Sequence, residues 1–159
     1  MNNIEMYERE LPHALMALNR RIEKEFLQEL AQLVSDYNID SPIERLMLLP
    51  LIYVKLLIRV AGYNERLKII PQHAIGTYRV DFFIEFWRED HHHRSCIIEC
   101  DGHNYHERTK EQARRDKQRD RFLQAQGYTV FHFTGSELYR DLPRCGKEVM
   151  DFLQGAANG

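Results

Sequence analysis

Cysteine is scarce in this chain of 159 residues. Cys96, Cys100 and Cys145 show no framework spacing, so a disulfide-stapled domain is excluded. An excess of charge of one sign is also missing. The 22 Lys and Arg stand against 24 Asp and Glu, a formal net charge of −2. Whole-protein charge therefore announces no nucleic-acid binder, and any attraction to phosphate must come from local clustering. Long apolar runs are lacking too. The most apolar stretch, LMLLPLIYVKLLIRVA, is broken by Pro50, Lys55 and Arg59 and reads as a buried helix, not a membrane span. No leader segment is recognisable at the start, which makes a reducing cytoplasm the expected compartment. Repeats and low-complexity tracts are absent apart from His91, His92 and His93.

What is present is an ordinary globular composition, 43% hydrophobic and 29% charged, enough for one domain with a real core. Residues 12 to 37 carry Leu15, Leu18, Ile22, Phe26, Leu30, Leu33 and Tyr37 at steps of three and four, which predicts a helix with one apolar stripe. A second helix opens at NIDSPIERL. Ser41 is its N-cap, Pro42 suits the first helical position, and Glu44 completes a capping box. This helix is expected to run to about Val60 with a bend at Pro50.

Three strands come next: RLKIIPQHAI, TYRVDFFIEFW and SCIIECD. Short connections at Gly76 and REDHHHR make them an antiparallel meander. A helix is predicted from about Tyr105 to Gln126, stopped by Gly127, then the strand YTVFHF. TGSE repeats the capping signature and starts a short helix to Arg140, and Pro143 separates it from a last helix. The fold class is α/β: a mixed sheet of about four strands, three in the meander and one after a helix, flanked by helices, with an extra N-terminal helix. Residues 1–40 read as a helical extension, 41–154 as the domain and 155–159 as a disordered tail.

The third strand ends on carboxylates. Alternation points Ile97, Glu99 and Asp101 one way and Cys96, Ile98 and Cys100 the other. In the preceding strand Asp81, Phe83 and Glu85 share a face opposite Val80, Phe82 and Ile84. If the two strands pair, Asp81 lies across from Glu99 or Asp101. Close carboxylates repel unless a cation sits between them or a proton is shared, and oxygen-only ligands select hard ions such as Mg2+ or Mn2+. The plainer alternative is a set of solvated edge residues.

YRVDFFIEF followed by IIECDG resembles the PD-(D/E)XK, or restriction-endonuclease-like, superfamily, and in particular its branch similar to very-short-patch-repair endonucleases. The likeness rests on an acid in SPIE, IGTYRVDF, ECDG with a nearby histidine, RDRFL and GYTV, over about residues 41 to 140. It implies a restriction-endonuclease-like fold and a Mg2+-dependent (or Mn2+-dependent) DNA endonuclease. It implies that Asp81 and Glu99 ligate the metal, that the Cys100 carbonyl is a further ligand, and that Glu44 matches a helical acid of many such nucleases. Double-strand cutting by one such site would favour a homodimer.

The motif's lysine, two residues after Glu99, is here Asp101. Two repairs are open: Asp101 holds a second metal, or the following helix supplies a cation through Lys110 or Arg108. A third reading is loss of catalysis, which leaves a nucleic-acid-binding module inside a larger complex.

Cys100, His103 and His106 have a spacing that invites zinc, but alternation turns Cys100 away and no fourth soft ligand lies nearby. His106 is a candidate for proton transfer or a phosphate contact, or else a histidine at a helix start. The helix after it carries Arg108, Lys110, Arg114, Arg115, Lys117, Arg119 and Arg121. Most of these charges fit intrahelical pairs such as Glu111 to Arg115; the functional alternative is a phosphate-facing ridge. Asp116 and Asp120 are spaced to face the sheet and are expected to pair with Arg115, Arg119 or another buried cation. His132 stands where the resembled family more often has Arg, and is a further candidate phosphate contact.

Overall fold

The computed structural model describes residues 3–62, 64–89, 93–102 and 109–155, with side chains from Met16 onward apart from that of residue 61. Two helices come first, α1 (Asn3–Asp36) and α2 (Pro42–Ala61). Strands β1 (Arg66–Ile75), β2 (Tyr78–Trp87) and β3 (His93–Asp101) follow, then α3 (Lys110–Ala125), β4 (Thr129–Thr134) and α4 (Gly135–Gln154). The sheet order is β1-β2-β3-β4, antiparallel through β3 and parallel between β3 and β4. A strand returning parallel after a crossover helix needs that helix on one face, and α3 provides it. The predicted mixed sheet is the observed one. No helix among the described residues is long and apolar enough to cross a membrane.

Two clusters make the core. Leu67, Ile69, Phe82, Ile84, Phe86 and Ile98 of the sheet pack with buried residues of α2 and α4, and α1 adds Ile22, Phe26, Leu30, Leu33 and Val34. On the other face Val80, Phe83, Ile97 and Leu123 form a smaller cluster with α3. α1 is fastened to α2 by ion pairs of Glu29 with Lys55 and Glu25 with Arg59. α2 ends where Gly62 adopts φ 68° and donates its N–H to the Arg59 carbonyl. α2 and α4 touch so closely that a Cβ at Gly146 would lie 2.6 Å from Pro50 Cβ.

Several boundaries differ from the sequence reading. α1 begins at Asn3, well before residue 12, so Pro12 costs the helix an N–H bond without ending it. α3 runs from Lys110, where Thr109 and Gln112 form a complete capping box; the earlier helical start expected near Tyr105 lies outside the described residues. The box expected at Glu44 is only half made. Ser41 Oγ accepts the Glu44 N–H at 3.5 Å, while the Glu44 carboxylate accepts from Gln72 Nε2 at 2.8 Å. α4 is two helical pieces merged across non-helical Asp141 (φ −152°, ψ 66°), close to the predicted break at Pro143.

One break in the sheet sets where its acids lie. Val80 packs with Phe83, Ile97 and Leu123, not with Phe82 and Ile84 as strict alternation predicts. The slip is at Asp81, which has no register partner on either neighbouring strand. Pairing with β1 skips Gln72, itself at φ 52°, and pairing with β3 ends at Phe82↔Ile98. A ladder interrupted here re-aims the side chains on either side of the break.

Candidate active site

The interruption gathers acids. Asp81 Oδ2 accepts the Cys100 N–H at 2.7 Å, filling with a side chain the place of a ladder bond. Glu44 reaches the same neighbourhood from α2 through Gln72, and the Asp81 charge is felt there. Glu99 is 5% exposed, a charged residue that is buried among the described residues. Its Oε1 lies 2.5 Å from Arg119 Nη2, and the same nitrogen donates to the Arg79 carbonyl at 2.8 Å. Asp101 faces β4, with Oδ2 3.3 Å from His132 Nδ1. The other imidazole nitrogen lies 3.4 Å from Asp120 Oδ1, so His132 spans β3 and α3.

The crowding shows in the acidities. Burial first, then the Asp81 charge, pushes the Glu99 carboxyl up to about 7 against the pull of Arg119. Burial raises Asp81 as well, with the Asp101 charge adding and the Cys100 N–H opposing. Glu44 rises through burial and the charge of Asp81. His132 is raised too, chiefly by its hydrogen bond to Asp101, with burial opposing and Asp120 adding. Burial raises the Cys100 thiol far above the usual range, and its side chain packs against the larger core cluster.

The structure thus brings Asp81, Glu99, Asp101, Glu44, the Cys100 backbone and His132 to one end of the sheet. Other sequence candidates lie apart. Lys110 is exposed in the first turn of α3, about 14 Å along the helix axis from Arg119. Arg114 and Arg115 are exposed and share one partner, Glu111 Oε1, each at 3.3 Å. That is the predicted intrahelical pairing. His103, His106 and Arg108 lie outside the described residues, as do His91 and His92. Of the partners expected for Asp120, Arg119 goes instead to Glu99, and Asp120 faces the His132 imidazole.

Arg119 is the residue that sequence reasoning left among the helix charges. A run of Arg, Lys, Asp and Glu at helical spacing looks the same whether a guanidinium faces water or a buried acid. Its partial signal is its spacing of four from Leu123, the buried residue of α3, which puts it on the sheet-facing side.

Asp81, Glu99, Asp101 and Glu44 are hard oxygen donors, and their mutual repulsion is the kind a divalent cation relieves, so the donor chemistry fits one. Among the described residues, however, no group of three or more His, Cys, Asp and Glu is closed to ligating geometry. Asp81 and Glu99 are instead each held by an internal donor.

Neither a curated protein nor a solved structure matches the chain. A protein-family model does, REase_MTES_1575, over residues 54–153; it takes in β1 to β4, α3 and nearly all of α4, and leaves Glu44 outside. A four-stranded mixed sheet with an acid-rich break at one end, together with a family match over most of the chain, establishes that the chain belongs to the REase_MTES_1575 family, a restriction-endonuclease-like family.

Proposed function

We propose that the protein is a divalent-metal-dependent endonuclease that hydrolyses phosphodiester bonds in DNA. The observation that carries this reading is the convergence of Asp81 and Glu99 at the break in the β2 ladder, within a restriction-endonuclease-like family. Asp81 and Glu99 would hold Mg2+ or Mn2+, with the Cys100 carbonyl, Asp101 and Glu44 as the further oxygen donors within reach of this end of the sheet. When bound, such an ion acidifies a water and neutralises charge on the reacting phosphate.

The chain's own residues do the rest. Cys100 N–H fixes the Asp81 carboxylate, and Gln72 orients Glu44. The half-buried setting keeps bulk water from screening these acids. Exposed Lys110, Arg114 and Arg115 give α3 a ridge that can follow a nucleic-acid backbone without reading bases.

The test is incubation of the protein with supercoiled plasmid and with single-stranded DNA in Mg2+, Mn2+ or EDTA, beside Glu99→Ala. Metal-dependent nicking that disappears in Glu99→Ala supports the endonuclease. DNA bound but never cut, under any metal, replaces it with a nucleic-acid-binding module whose nuclease site is inactive. That alternative draws on Asp101 standing in the place of the motif's lysine. Preferential cutting of RNA would move the substrate class.

A further inference from the structure

The position two residues beyond Glu99 holds an anion, and that anion is turned toward a base of β4: Asp101 Oδ2 lies 3.3 Å from His132 Nδ1. A cation reaches Glu99 from elsewhere. Arg119 crosses from α3 so that Nη2 lies 2.5 Å from Glu99 Oε1 and 2.8 Å from the Arg79 carbonyl oxygen. The Glu99 side chain is 7% exposed and that of Arg119 25%, so the acid is buried and Arg119 is the more exposed partner of the pair.

Both bonds leave from Nη2. A guanidinium carries its remaining N–H donors on Nε and Nη1, in a rigid fork that matches phosphate oxygens. Three other cations of α3 are differently placed. Arg114 and Arg115 share Glu111, and Lys110 is more than two turns away.

We infer that Arg119 does the work of the missing lysine, fixing Glu99 with one nitrogen and presenting the rest of its guanidinium to the phosphate being cleaved. This rests on the metal-dependent endonuclease reading and adds to it a cation from the crossover helix. It also predicts opposite effects on two observables. A positive charge beside Glu99 opposes the binding of a metal cation there, yet stabilises the charge that develops on the phosphate.

The experiment compares wild type, Arg119→Gln and Arg119→Lys. It reads single-turnover DNA cleavage in saturating Mn2+, Mn2+ affinity by calorimetry without DNA, and far-UV circular dichroism. In Arg119→Gln, cleavage is expected to slow about 100-fold or more. Mn2+ affinity should stay level or rise. Arg119→Lys should recover cleavage to within about tenfold of wild type, since charge is restored without the fork.

Cleavage unchanged in Arg119→Gln overturns the inference and leaves the endonuclease reading intact. A folded Arg119→Gln that loses cleavage and Mn2+ affinity together makes Arg119 a scaffold residue and overturns it as well. If Arg119→Gln does not fold, Arg119→Lys decides: cleavage within tenfold upholds the inference, and loss in a folded protein overturns it. Failure of both variants to fold assigns Arg119 to the scaffold and overturns it. A wild type that cuts nothing overturns the endonuclease reading and this inference with it.

Discussion

The Asp81 carboxylate accepts the Cys100 N–H at 2.7 Å, one step beyond the last backbone pair of β2 and β3. A side chain thereby closes a ladder that the backbone leaves open. Removing it exposes a part-buried amide with no partner. Asp81→Ala is expected to cost about 2 kcal/mol of stability, and Asp81→Asn less, since the amide oxygen can still accept. Urea denaturation of the two variants checks the order. Equal losses in both would show that the charge, not the hydrogen bond, holds β3.

Glu99 gives a pH signature. Its carboxyl is raised to about 7 in the folded protein, from an ordinary value of 4.5. Between those values the folded state holds a proton that the unfolded state has lost, so stability falls as pH rises through this window. Glu99→Gln should be nearly neutral at pH 5 and relatively stabilising at pH 8, by on the order of 2 kcal/mol. Denaturant midpoints at the two pH values measure it. A variant equally destabilised at both would mean that the ion pair with Arg119 outweighs burial.

His132 acts in the same direction by a different route. Its folded pKa is raised above 6.5 by Asp101 and Asp120, so its contribution is complete below 6.5 and is lost as pH rises through the folded value. With its side chain 40% exposed, solvent screening limits the effect to about 1 kcal/mol or less. His132→Ala is therefore expected to lower the melting temperature at pH 5.5 and hardly at all at pH 9. His132→Arg, with a charge that does not titrate, should flatten the difference. Thermal melts at both pH values give the comparison.

Gly146 offers a test of the core itself. Its missing side chain lets α4 lie on Pro50 of α2, where a Cβ would approach to 2.6 Å. Gly146→Ala must push the helices apart or strain the proline ring, at about 1–3 kcal/mol. Gly76→Ala should also destabilise, because φ is 60° there and a Cβ would meet Phe122 at 2.9 Å. Stabilisation by either alanine would contradict this packing.

The sheet was legible because alternation, turn chemistry and the helix between the last two strands each carry a local signal. TYRVDFFIEFW and SCIIECD gave their pairing through short connections, and YTVFHF its parallel place through α3. Asp81 and Glu99 were legible as carboxylates at the ends of apolar strands. The slip at Asp81 was not, since a skipped pair changes the facing of Val80 without changing its identity. Nor was the Glu99–Arg119 pair, because burial of one member is a property of packing between α3 and the sheet. The His132 links to Asp101 and Asp120 likewise depend on how three separate elements, β3, α3 and β4, pack together.

The hydrogen bond that Asp81 supplies to β3 makes the Cys100 amide a natural probe. An amide held by a neighbouring backbone exchanges with deuterium only when strands part, but this one depends on a single carboxylate. Its exchange rate should therefore follow whatever competes for Asp81, be it a proton at low pH or a bound cation. One backbone resonance of Cys100 would report the state of the acidic cluster in solution without any substrate present.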